Sequence, residues 1–199
     1  MTPSQLEEHN RLYKEAIQIA TNEIIIQGHP RVSDPSSSVR QRLDRALPLF
    51  SRVIDLNPDN WSAMWFVGKI HQRYGDQSAA LEWFARAHNL NPGQVDVSRE
   101  ASLCAMELGR SQEAISCASS AVRIRPSDAG LQSNLAVAFL LAGRLDEAKQ
   151  SIERAAVEDP ANRIVKTLSR MIDHFIASRQ RPPSTTTELE RYWARRRQS

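Results

Sequence analysis

The sequence predicts an all-α solenoid of stacked antiparallel helix pairs, and three observations carry that prediction. Proline recurs every 34 residues, at Pro58, Pro92, Pro126 and Pro160. Three further ladders keep the same step: Ala46, Ala80, Ala114 and Ala148; Ala87, Ala121 and Ala155; Gly75, Gly109 and Gly143. The composition, rich in Ala and Leu with only 6% aromatic residues and seven glycines, favours helix. One fixed period means one supersecondary unit stacked on copies of itself, an architecture that presents surface for binding rather than a catalytic centre.

The elements follow in order. Residues 4–26 read as a helix with Leu6, Tyr13, Ile17, Ala20 and Ile24 on one side, opened by a capping box of Ser4 and Glu7. Residues 27–39, with Gly28-His29-Pro30 and Ser36-Ser37-Ser38, read as a polar loop, either a tolerated insertion or a functional one. Residues 40–56 form the second helix, with Ala46, Phe50, Val53 and Pro58 in register. Residues 1–60 therefore make a divergent first repeat, a hairpin whose connection is longer than the roughly 2–8 residues usual between helices.

Three full repeats come next, 61–94, 95–128 and 129–162. In the first, Met64, Val67, Gly68 and His71 mark an apolar face, and Gly75-Asp76 ends the helix, because glycine accepts the left-handed conformation. Leu81, Phe84, Ala87 and His88 form the buried stripe of the second helix, which Asn91-Pro92 stops. Ser111 and Asp146 are the expected N-caps in the following copies, and His71 and His88 the expected core histidines. Small residues recur where helices must approach closely: Gly68, Ser102 and Ala136, then Ala80, Ala114 and Ala148. Residues 163–178 (Ile164, Leu168, Met171, Ile172, Phe175) read as a helix covering the last apolar face, and 179–199 as a basic, disordered tail. Within that tail, 188–197 has the pattern of an amphipathic helix (Leu189, Tyr192, Trp193) too short to stand alone.

The repeat resembles the tetratricopeptide repeat (TPR), a 34-residue helix–turn–helix unit. The resemblance rests on Gly68, Ala80, Phe84, Ala87 and Pro92 in one copy. Ser102, Ala114, Ala118, Ala121 and Pro126 carry it in the next, and Ala136, Phe139, Ala148, Ile152, Ala155 and Pro160 in the third. His71 stands where an aromatic is usual, and Met64, Ser98 and Gln132 stand where another normally opens the first helix. The resemblance implies a right-handed superhelix of about four hairpins with a C-terminal capping helix. It also implies a concave face lined by the first helix of each pair.

Charge and chemistry narrow the function. The net charge of +3 is confined to the end: from Arg179 onward six Arg and two Glu give +4, leaving the body near −1 without a general basic face. No apolar run approaches the roughly 18–20 residues needed to cross a bilayer. Residues 1–11 are polar, unlike a secretory leader. Cys104 and Cys117 have no CxxC spacing and suit reduced thiols in a cytoplasmic protein. The five His show no zinc spacing, and neither a nucleophile motif nor a phosphate loop is present. The chain is expected to be non-catalytic, with no cofactor and no metal.

On the concave face that the resemblance implies, the 34-residue step gives three rows: Trp65, Arg99, Ser133, Thr167; Lys69, Leu103, Val137, Met171; and Gln72, Met106, Leu140, His174. The apolar members suggest a groove for a peptide or helical segment of a protein partner, or else a surface covered by the capping helix or the tail. One TPR subset grips acidic chaperone tails with two Lys, two Asn and an Arg. Here the matching positions hold Trp65, Lys69, Glu100, Gly130 and Asn134, or, one repeat on, Arg99, Leu103, Asn134, Ile164 and Leu168; neither set fits. A second candidate site is the tail itself, where Arg191, Arg195, Arg196 and Arg197 flank Tyr192 and Trp193, a composition suited to membrane or nucleic acid. An interaction scaffold is the first expectation. A small chaperone for an unassembled client, tail-driven binding to an anionic surface and a homo-oligomer stand as alternatives.

Overall fold

The computed structural model describes residues 1–24 and 34–196, and every regular element among them is a helix. The helices divide into two compact units, Met1–Pro92 and Gly93–Ser199.

The first unit holds α1 (Pro3–Ala20), α2 (Ser37–Leu56), α3 (Trp61–Arg73) and α4 (Gln77–Leu90). α1 pairs with α2 and α3 with α4, while α2 also packs on α3. Its interior is aromatic at one end: Phe50 stacks on Phe66 at 5.1 Å, and Tyr13 meets Phe50 edge-on. The Tyr13 hydroxyl donates to Ser62 Oγ at 2.7 Å, giving that ring the polar partner it needs.

Three boundaries here differ from expectation. The capping box belongs to Thr2 and Gln5, not Ser4 and Glu7: Thr2 N donates to Gln5 Oε1 at 2.8 Å, and Gln5 N donates back to Thr2 Oγ1. Pro3 is the reason, since it lacks an N–H and its fixed φ suits the first helical position. α1 ends at Ala20 rather than residue 26, and of the expected 27–39 loop, 27–33 lie outside the described residues. α2 begins inside that predicted loop, at Ser37, because the Ser36 hydroxyl accepts from Val39 N and caps the helix.

The second unit holds α5 (Val95–Glu107), α6 (Ser111–Ile124), α7 (Ala129–Leu141), α8 (Leu145–Glu158), α9 (Arg163–Ser178) and α10 (Thr186–Arg196). α5 pairs with α6 and α7 with α8, and α9 packs on α8. The first helices also touch in sequence, α5 on α7 and α7 on α9. Ser102 on α5 is buried and donates from Oγ to the Ala114 carbonyl of α6 at 3.0 Å, so a small polar residue both fits and is satisfied there.

The glycine ladder has one conformational cause. Gly75, Gly109 and Gly143 have φ of 81°, 68° and 75°, the left-handed region that a β-carbon disfavours. Each closes the same turn: Asp76 N, Arg110 N and Arg144 N donate to the carbonyls of His71, Ala105 and Phe139 at 3.0, 2.9 and 2.9 Å. This turn consumes only one residue after the glycine, which corrects two expected caps. The N-caps of α6 and α8 are Arg110 and Arg144, not Ser111 and Asp146. They stand in register with Asp76, whose side chain caps α4, but as arginines they offer no side-chain acceptor.

Another correction concerns the end of the chain. Residues 179–199, expected to be disordered, contain α10, which lies back on α5 and buries Leu189. A helix of this length is marginal by itself, and the contacts with α5 and α9 supply what propensity does not.

Candidate functional site

The predicted groove residues do not all reach solvent. On α3, Lys69 is buried and donates from Nζ to Gln72 Oε1 at 2.6 Å, while Trp65 is half-buried with its ring edge-on to Phe66. On the first helices of the second unit, Met106, Ser133, Leu140 and Met171 are buried, whereas Arg99, Leu103, Val137 and Thr167 are half-buried. The expected open apolar row is therefore mostly interior. The direct packing of α5 on α7 and of α7 on α9 explains this, because it encloses side chains that helical periodicity alone places on an inner face.

Polar members of the rows are engaged locally. Arg99 reaches Asp96 at 2.9 Å and Glu100 at 3.2 Å, and Glu100 is itself buried, so the guanidinium offsets the cost of burying that carboxylate. Ser133 donates to the Ala129 carbonyl at 2.7 Å. His71 and His88, expected in the core, are half-buried, and His71 lies 3.8 Å from Asp76 at the turn.

The predicted tail site is split by α10. Arg191, Arg195 and Arg196 are exposed, Tyr192 and Trp193 are half-buried, and Arg197 lies outside the described residues. Tyr192 packs on Phe175 with ring centroids 5.1 Å apart, and His174 lies 5.9 Å from Tyr192 and 6.0 Å from Trp193. The Tyr192 hydroxyl donates to Gln180 Oε1 at 2.7 Å, which leaves its oxygen to accept from His174 Nε2 at 2.8 Å. Burial and the nearby Arg196 charge hold the His174 imidazole below its ordinary pKa.

At the other end of α10, one carboxylate on α5 takes two hydroxyls. Thr187 Oγ1 donates to Glu107 Oε2 at 2.7 Å, and Thr186 Oγ1 donates to Glu107 Oε1. The preceding turn is closed by its own caps: Glu188 N donates to Thr185 Oγ1, and the Glu188 carboxylate accepts from the hydroxyl and N–H of Ser184 at 2.9 and 3.0 Å. These bonds hold the Glu188 carboxyl below the usual range, the Ser184 hydroxyl most of all. Sequence reasoning missed Glu107, Thr186 and Thr187. For the two threonines the signal was present in Thr185-x-x-Glu188, a capping-box spacing placed just before Leu189, Tyr192 and Trp193.

Residues 39–95 and 105–172 each match the tetratricopeptide repeat family. The chain belongs to that family. The chain shares 30% identity over 71 residues with the transcription factor tau 131 kDa subunit of Saccharomyces cerevisiae, a stretch that is 36% of this chain and 7% of that protein. Among solved structures, YrrB, described as a TPR protein with an unusual peptide-binding site, is similar with a TM-score of 0.63 at 19% identity, covering 73% of this chain and 74% of YrrB. MamA gives a TM-score of 0.65 at 15% identity, over 75% of this chain and 87% of its own. The second TPR domain of human RPAP3, solved with an HSP70 peptide, gives 0.54 at 18% identity, over 57% and 98%. These likenesses place the fold among TPR helix-pair solenoids. No helix among the described residues is long and apolar enough to cross a membrane, and no group of three or more His, Cys, Asp or Glu among them is placed to hold a metal ion.

Proposed function

We propose that this chain is a non-catalytic protein-interaction scaffold that binds a peptide or helical segment of a partner along the first helices of the second unit, α5, α7 and α9. The observation that carries the reading is the half-exposure of Leu103 and Val137, apolar side chains one repeat apart on neighbouring first helices. Aliphatic side chains in that setting gain from desolvation by a ligand, and Arg99, one turn before Leu103 on α5, adds a charged rim. The peptide-bound RPAP3 domain and the peptide-binding description of YrrB support a ligand of this class. The residues here do not reproduce a clamp for acidic chaperone tails, so the partner segment is apolar rather than carboxylate-terminated.

Affinity capture with the wild type and the Leu103→Glu/Val137→Glu variant tests the reading, with thermal unfolding as the folding control. Partners lost only from a folded double variant support the groove. Partners retained equally by both would remove it.

A further inference from the structure

The second unit ends in a helix that folds back on it. α10 returns to the C-terminal end of α5 and the C-terminal half of α9, and its contacts with them have the features of an interface. A central apolar anchor, Leu189, is 5% exposed. The half-buried pair Tyr192 and Trp193 flanks it at the three- and four-residue spacing of one helix face, set against His174 and Phe175. Paired hydroxyls, from Thr186 and Thr187, seat on the Glu107 carboxylate. Charge agrees with this arrangement, because the first turn of α10 presents the positive end of its dipole to Glu107, while Arg191, Arg195 and Arg196 stay exposed.

The attachment is short and the reversal costs energy. Only the segment between Ser178 and Thr186 joins α9 to α10, and within it Arg179 adopts φ 54°, the single left-handed non-glycine among the described residues. A tether this short keeps α10 at an effective concentration on the order of millimolar, so its own weak contacts suffice to hold it in place. Eleven residues with one buried aliphatic anchor are the scale of a peptide that can be exchanged rather than of a core element.

We propose that α10 is a resident, displaceable ligand, and that the surface on Glu107, His174 and Phe175 accepts a partner's amphipathic helix of the same chemistry. That helix bears adjacent Thr or Ser hydroxyls in its first turn, Leu one turn or less beyond them, and an aromatic pair three and four residues after the Leu. The inference rests on the reading of the second unit as a segment-binding module and deepens it by naming the kind of segment. The resting chain is then self-occupied, and a partner binds only the fraction of molecules whose α10 is released.

The test uses the full chain and a fluorescein-labelled synthetic peptide spanning residues 180–196, read by anisotropy. Leu189→Glu in the full chain removes the anchor of α10 without touching the receiving surface, and Tyr192→Ala/Trp193→Ala is a second releasing variant if the first unfolds. Expected is binding to a released chain, at least ~10-fold weaker binding to wild type because the closed fraction subtracts from the competent one, and loss of binding when Glu107→Ala is added to the released chain. A peptide carrying Leu189→Glu should bind none of them. Equal binding to wild type and released chains, or no binding to a folded released chain, overturns the proposal. A wild-type dimer that opens to the peptide only on dilution would also overturn it, since a second copy's α10 would then fill the surface. Failure of the Leu103/Val137 capture leaves this result readable, because the titration reads peptide binding directly and depends on no captured partner.

Discussion

The ring of Phe84 occupies the space that a β-carbon on Gly68 would need. A carbon built there meets Phe84 Cε1 at 2.6 Å and Cδ1 at 2.8 Å, with Phe84 fully buried between α3 and α4. Gly68→Ala should therefore destabilise the first unit by up to about 2 kcal/mol, an overpacking cost of about 1–3 kcal/mol less the roughly 1 kcal/mol that alanine gains in helix propensity. Thermal unfolding checks this, and Phe84→Leu in the same chain should recover part of the loss. A rise in Tm from Gly68→Ala alone would refute the close approach.

Arg179 gives a change of opposite sign. Its φ of 54° places a β-carbon in the left-handed region at the end of α9. Arg179→Gly removes that cost and should stabilise by up to about 1 kcal/mol, net of the larger entropy of an unfolded glycine. The gain should slow hydrogen exchange of α10 amides relative to those of α6.

Acid should loosen the α9–α10 contact. The folded-state pKa of His174 lies below its ordinary 6.5, through burial first and Arg196 second, so the unfolded or released form binds the proton more readily. Its contribution is present above about pH 6.5 and is lost as pH falls through the folded-state value. Glu188, held below its ordinary 4.5 by Ser184, has the same sign in a lower window. Comparing unfolding at pH 7.5 and pH 5.5 for wild type and His174→Gln tests this. The variant should lose less stability across that interval, and an identical loss in both would remove His174 from the account.

Cys117 on α6 should be unreactive. Burial, with Glu113 adding to it, pushes its thiol up to about 11, against an ordinary value of 9.0. About a hundredfold less thiolate than in an ordinary thiol follows, with alkylation by iodoacetamide at pH 8 slowed in proportion. Labelling of the native chain at the rate of a free thiol would contradict the half-buried placement.

Much of the fold was legible because period and conformation have a common cause. A glycine every 34 residues signals a turn that needs positive φ, and Gly75, Gly109 and Gly143 adopt it in the same hydrogen-bonded form. Small residues at Gly68 and Ser102 signal close helix approach, met by Phe84 and by the Ala114 carbonyl. The caps were less legible. Ser111 and Asp146 are good capping residues by type, but the geometry of the glycine turn assigns the role to Arg110 and Arg144.

The candidate site was legible only in part. Helical spacing correctly places Leu103, Met106, Val137 and Leu140 on first helices, yet it cannot say how tightly those helices close on one another. Met106 and Leu140 are interior, and Leu103 and Val137 remain partly open. Glu107 carried no signal at all, since a glutamate at the end of a helix is ordinarily a solvated charge.

By itself the sequence determined the repeat, the helix pairing within each copy and the turns between them, because these depend on local periodicity and on backbone conformations that particular residues permit. Tertiary structure alone decided which inner side chains stay open and where the last eleven-residue helix goes. α10 is too short to be specified by its own propensity. It exists because Glu107, His174 and Phe175, distant in sequence or on another helix, meet Thr187, Tyr192 and Leu189's neighbours across space, and contacts between separate segments leave no period to read.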